Sequence, residues 1–179
     1  MPGDVLLVTG SGLVARLIRK VQEHGGFHPD HARWSHTSLY IGRGRLVEAT
    51  PFGGVRVGLL VSMTFGRELL VRRRLNDPPL AIEQRYEIAV HALTGLRRAY
   101  SFGEVPNLAW QAWRRRLWEE DQRPNVRSVT ICSTVVRNAY TTAIFTDLLP
   151  GMNGVTWPAD LSQTAELTDV QIGWVKIVA

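Results

Sequence analysis

The sequence has one cysteine, Cys132, so no disulfide can form within the chain and its stability has to come from packing. It has almost no lysine: 19 of its 21 basic side chains are arginine. No uninterrupted apolar run comes near the roughly 18 residues that a membrane-spanning helix needs. The start, "MPGDVLLVTG", lacks the basic lead and long apolar core of a signal peptide. The expected compartment is therefore the cytoplasm as synthesised, with delivery by a secretion system left open. Internal repeats and low-complexity linkers are also missing, which argues against a solenoid or a multi-domain string.

What is there reads as globular. Apolar residues make up 45% and charged residues 21% of 179, enough to bury a core, and one domain over 1–179 is expected. The formal net charge of +5 has two readings. It reflects a codon bias toward arginine, or it marks a surface suited to acidic partners, a membrane face included. No recognition motif for nucleic acid accompanies the charge, so no specific nucleic-acid partner is expected.

The pattern of elements gives the fold class. "DVLLV" at 4–8 reads as a short apolar strand. A helix follows, with Ser11 as its N-cap and Leu13, Leu17, Ile18 and Val21 at helical spacing. "EHGGFHPDHAR" reads as a polar loop, and strands are expected at about 35–41, 45–49, 55–60 and 69–74. After Pro78-Pro79, a stripe of Ile82, Tyr86, Ala89, Val90, Leu93 and Leu96 predicts a helix. A second helix carries Trp110, Trp113 and Leu117, a third begins near Cys132, and "IGWVKIVA" reads as a last strand. Strands and helices are segregated, so the class is α+β.

Two motifs look like binding sites and are better read as structure. "VTGSGLVA" matches G-x-G-x-x-A, yet a dinucleotide fold needs a second parallel strand ending in an acid about 20 residues on, where this chain has a loop. His24, His28, Asp30 and His31 are zinc-type donors, but their spacing fits no recognised site. Neither a cofactor nor a metal is expected.

The informative stretch is "WSHTSLYIGRGRLVEATPFGGV" at 34–55. A two-residue loop at Arg43-Gly44 pairs Ile41 with Leu46 and turns Glu48 away from His36. A three-residue loop, Gly42-Arg43-Gly44, pairs Ile41 with Arg45 and sets Glu48 opposite Ser38, diagonal to His36 and within reach. The second register also puts His36, Ser38, Tyr40, Leu46, Glu48 and Thr50 on one face and the apolar set on the other, so it is preferred. The carboxylate then orients the imidazole. The competing reading is a half-exposed hairpin with unrelated polar residues.

"RSVTICSTVVRNAYTTAIF" places Cys132 at a helix start, with Ser128 or Thr130 as cap and Val135, Val136, Ala139, Tyr140, Ala143 and Ile144 on the apolar stripe. Free N–H groups and the positive dipole end both favour thiolate, and the backbone N–H of Cys132 is placed to donate to an oxyanion. The alternative is a small buried hydrophobe.

The order His, acid, Cys resembles the circularly permuted papain-like superfamily: the permuted NlpC-type cysteine peptidases, with YiiX-like proteins among them and the lecithin:retinol acyltransferase group as relatives. "GDVLLV", the His-strand box and "ICSTVVRNAY" carry the resemblance, and "YSFGEV" at 100–105 and "WPADLSQT" at 157–164 are similar to family elements. It implies an antiparallel, barrel-like sheet packed against helices, with the nucleophile at a helix N-terminus. It further implies Cys132 as nucleophile, His36 as general base and acid, and Glu48 as the orienting third member. The second oxyanion donor is unassigned, with Ser35 and Thr37 as candidates.

The implied chemistry is attack of Cys132 on a carbonyl, an acyl-thioester, and release by water or another acceptor. Two substrate classes follow: a peptide or isopeptide amide, and a lipid acyl group. The arginines at 72–74, 97–98 and 114–116 suit an acidic substrate or membrane surface. "AWQAWRRRLWEED" reads either as an interfacial helix or as a core helix with a solvated basic face. The third reading is a binding module that has lost activity.

Overall fold

Four successive buried residues, Val5–Val8, form β1, and a strand apolar on both faces belongs in the middle of a doubly covered sheet. The computed structural model describes residues 1–74, 79–99, 131–152 and 155–171. In it β1 pairs with β2 (His36–Gly42) on one side and β5 (Leu69–Arg74) on the other. β3 (Arg45–Thr50) and β4 (Gly54–Leu59) extend one edge, and β6 (Leu167–Asp169) extends the other. The order is β4-β3-β2-β1-β5-β6, antiparallel at every pairing.

The sheet is open, which corrects the barrel-like expectation. Closure needs long edge strands with matched shear. Here β6 has three residues, and β4 runs straight into a short helix, α3 (Leu60–Thr64), at what would be the seam.

Alternation along the strands feeds two cores. On one face Val5, Leu7, Leu39, Val47 and Ala49 meet two helices, α4 (Ile82–Thr94) and α5 (Cys132–Ile144). On the other, Leu6, Val8, Leu46 and Val71 meet Met63 of α3. A third cluster joins Ile18 and Val21 of α1 (Leu13–His24) to Ile131, Val155 and Trp157. Two shorter helices complete the described set, α2 (Pro29–Ala32) and α6 (Pro158–Gln163). No described helix is long and apolar enough to cross a membrane.

Several expectations shift. Gly12, not Ser11, is the N-cap of α1, and Leu13 is 82% exposed. Gln22 is interior instead: its amide donates to the carbonyls of Ala32 and Trp34 at 2.8 and 2.9 Å and accepts from the Ala159 N–H at 2.9 Å. The expected loop after α1 contains α2, whose Ala32 is buried. On α4 the inward face is Arg85, Ile88, Ala89 and Ala92, while Ile82, Tyr86 and Val90 point out. The reason is a charge with a partner inside: Arg85 reaches buried Asp4, which also binds Arg73. Apolar periodicity alone does not register such a pair. α5 buries Val136, Ala139 and Tyr140 as its stripe predicts, but Ile131 is its N-cap and no side chain caps it. Ser128, Thr130, "YSFGEV", the helix with Trp110, Trp113 and Leu117, and the final strand at 172–179 lie outside the described residues.

Arg72 ties the C-terminal segment to the sheet. The residue is 7% exposed, and its guanidinium donates to the carbonyls of Leu161, Ser162, Thr164 and Leu167 and to the Asp169 carboxylate. Arg72→Met would strand these acceptors inside the protein. The expected loss is about 3–5 kcal/mol, read as a lower urea midpoint at unchanged slope.

Candidate active site

The hairpin of β2 and β3 brings the acid to the imidazole. Ser38 faces Glu48, Leu39 faces Val47 and Tyr40 faces Leu46, and then the register shifts between Tyr40 and Gly42 so that Gly42 faces Arg45. Ile41 is therefore a bulged residue rather than the partner of Arg45. The loop itself is two residues, Arg43 and Gly44, both with positive φ (49° and 70°), as the tightest hairpin turn requires. The bulge supplies the one-residue offset that a longer loop would otherwise give. Glu48 ends up where the preferred register puts it, for a different local reason.

His36 Nε2 donates to Glu48 Oε2 at 2.8 Å. Glu48 Oε1 accepts from Arg56 Nε and Nη2 at 3.0 and 2.9 Å. Arg56 sits directly across from Glu48 in the β3–β4 pairing. The carboxylate is thus saturated and fixed, with its side chain only 10% exposed. Gly58 leaves the room for it: a Cβ there would lie 2.9 Å from Glu48 Oε1. Neither Arg56 nor Gly58 was singled out in the sequence. Arg56 was findable, since a tight turn at 50–54 sets it opposite Glu48.

The third side chain arrives from the other face of the sheet. Cys132 belongs to the core of Leu39, Val47 and Val136, whereas His36 lies on the Ser38–Glu48 side. They meet because His36 opens β2, and a ring at a strand's end can reach round it. With Nε2 given to Glu48, Nδ1 is the nitrogen left for the thiol. The sulfur is also hydrogen-bonded by the backbone at Thr37 and Ser133, the second of these an uncapped first-turn N–H of α5.

These contacts set the proton balance. Burial pushes the His36 imidazolium toward the neutral form, but hydrogen bonds to Cys132 and Glu48, and their charges, win and raise its pKa to about 9. Burial likewise opposes a Cys132 thiolate, yet the His36 hydrogen bond and charge and the two backbone bonds pull its pKa below the ordinary thiol range. Glu48 is also penalised by burial, and His36 and then Arg56 hold it below the usual carboxylate range. The shifts of all three groups run toward a thiolate–imidazolium pair backed by a carboxylate.

The group opens into a cavity of about 470 Å³. Ser35, His36, Glu48 and Cys132 lie on its wall, together with Met63 and residues at the start of α1. Of the two candidate oxyanion donors, Ser35 lines the cavity and its Oγ accepts from the Gly10 N–H at 2.7 Å. Thr37 is fully buried and its hydroxyl has no hydrogen-bond partner. Its contribution to the site is backbone. The G-x-G-x-x-A turn has a packing explanation too, because a Cβ on Gly10 would lie 2.7 Å from that of Ala15. No parallel strand pairing follows it among the described residues.

No family model matches the sequence, and no curated protein matches it significantly. A solved structure does: the metalloprotein yiiX from Escherichia coli O157:H7, a DUF1105 protein. The two superpose with a TM-score of 0.67 over 98% of each chain, at 19% identity. The chain has a YiiX-like fold. At that identity the likeness is one of fold, and it carries no activity across. Among the described residues no group of three or more His, Cys, Asp and Glu is disposed to hold an ion. In the Glu48–His36–Cys132 row the ring stands between the other two, so the donors do not converge on one point. His24, His28, Asp30 and His31 are spent separately, His24 on the Lys20 carbonyl, His28 on Asp30 and His31 on Ser162.

Cys132 is expected to react with iodoacetamide at about pH 6, where an ordinary thiol is protonated. In His36→Ala that rate should fall by at least tenfold (roughly the thiolate fraction lost). Gly58→Ala should lower it less, by displacing Glu48. Alkylation centred near pH 8.5 in the wild type would show an ordinary thiol. The imidazolium side has its own sign. A pKa raised above the unfolded 6.5 adds stability that is whole below 6.5 and is lost as pH rises through about 9.

Proposed function

We propose that this chain is a cysteine hydrolase of the permuted papain-like type that cleaves an amide, in a peptide or isopeptide, through an acyl-thioester on Cys132. One observation carries the reading: His36 is hydrogen-bonded to Glu48 and to Cys132 at once, on the wall of an open cavity. His36 holds the thiol proton as imidazolium. The thiolate attacks the carbonyl carbon, the C–S bond forms, and the oxyanion is met by the backbone N–H of Cys132 and, in this proposal, the Ser35 hydroxyl. The C–N bond breaks as His36 gives its proton to the leaving amine. A water, deprotonated by His36, then releases the acid and restores the thiol. Glu48 touches no substrate in this scheme. It is a positioning residue that fixes the ring's tilt and tautomer.

The same steps run with an ester, thioester or lipid acyl donor, or with another acceptor in place of water. The apolar part of the cavity wall, Val14, Ala15, Ile18 and Met63, favours that second reading. A binding module is the third, and a nearly buried carboxylate that Arg56 fixes against the imidazole argues against it.

Mass spectrometry separates these readings. After incubation with a peptide library or with lipid vesicles, the wild-type chain should carry an acyl adduct on Cys132. A peptidyl mass supports the amidase, a fatty-acyl mass the lipid enzyme, and no adduct from either the binding module. Cys132→Ala should abolish turnover while shifting the melting temperature by no more than a few degrees, since it removes one small buried atom. Retained activity would end the nucleophile assignment.

A further inference from the structure

The rim of the cavity is more apolar than a soluble surface has reason to be. Leu13 is 82% exposed and lies between two lining residues, Gly12 and Val14. Val57 and Leu59, on the edge strand β4, line the cavity and are 39% and 53% exposed. On α3, Met63 turns inward, while Val61 (66%) and then Phe65 (85%), just past the helix end, turn out. Scattered exposed apolar residues are ordinary. Of these five, Val57 and Leu59 line the cavity, and Leu13, Val61 and Phe65 stand within two positions of lining residues on α1 and at α3. Apolar exposure of this kind beside a cavity marks a candidate interaction surface.

Charge selects the occupant. Arg56 and Arg67 are the cations in the cavity lining, and Glu48, already held by His36 and Arg56, is the acid among the described residues there. The chain as a whole is +5, so a second copy meeting it through this face would be repelled. An apolar ring with an arginine beside it matches an anionic bilayer, where the apolar tips enter the acyl boundary and the guanidinium meets phosphates.

We propose that this rim docks the protein on an anionic lipid surface, with Leu13 and Phe65 entering the membrane and Arg67 meeting the headgroups. The consequence rests on the lipid-acyl form of the hydrolase reading: acyl groups held at the interface become the substrates presented to Cys132. The docking itself needs no catalysis, so the two fail separately.

Co-sedimentation of the full chain with vesicles tests it. Phosphatidylglycerol–phosphatidylcholine vesicles should carry the protein down, and pure phosphatidylcholine should do so far less. Raised salt should weaken the binding. Leu13→Ser with Phe65→Ser, and separately Arg67→Glu, should each reduce the bound fraction by roughly tenfold or more. All three positions are exposed, so melting temperatures should not change. Cys132→Ala should bind as the wild type does. No binding to anionic vesicles overturns the proposal, whether or not an acidic protein binds the same face. So does unchanged binding by the Leu13/Phe65 variant, or a dimer in solution that this variant dissolves. Slow alkylation of Cys132 with vesicle binding intact would instead overturn the hydrolase reading and leave the docking standing.

Discussion

The Glu48 carboxylate is the joint on which this site turns. One oxygen is taken by His36 and the other by both donors of Arg56. A carboxylate so nearly buried stays ionised only because two partners replace the water it has lost. In return it leaves the imidazole one free nitrogen and one orientation. Everything that brings Glu48 to that place counts as part of the site: the bulge at Ile41, the cross-strand position of Arg56, and the missing side chain at Gly58. None of these touches the sulfur.

The sulfur's position is set by different physics. α5 lies on the sheet face opposite to the acid, held there by Val136, Ala139 and Tyr140 in the main core. Its far side is pinned by Ser133 on the Thr156 carbonyl and by Arg137, which grips Asp147 and the carbonyls of Leu149 and Met152. These bonds fix the helix's depth along the sheet, and so which residue of α5 arrives at the end of β2. Cys132 arrives there because it is the first residue of the helix and His36 the first of the strand. Two element ends meet there. A mid-helix cysteine against a mid-strand histidine would be separated by the sheet itself.

A good part of this was legible from the residues. The four strands between 35 and 74 stand where alternation and glycine turns predict them, because half-buried strands write their two faces into sequence at period two. The stripe of α5 was legible for the same reason at helical period. What misled was polar side chains inside the protein. Arg85, Arg72 and Gln22 are interior because backbone carbonyls, a carboxylate or an amide N–H wait for them there, and those partners are remote in sequence. The hairpin offset was predicted correctly and its cause was not, since a bulge and a longer loop displace the register alike.

The sequence by itself determined the chemical types and their order: one thiol at a helix start, one histidine at a strand start, and one acid a hairpin away. It also favoured a register in which the acid shares the histidine's face, because that register sorts polar from apolar residues, although the bulge that produces it is a feature of the folded hairpin. Only the tertiary structure decided that the thiol and the imidazole, 96 positions apart, come together (132 against 36). It alone decided that the sheet stays open and that a cavity forms over them. The physical reason is that these depend on how far α5 slides along the sheet and on which buried polar groups find partners. Both are sums over contacts between segments that no local period records.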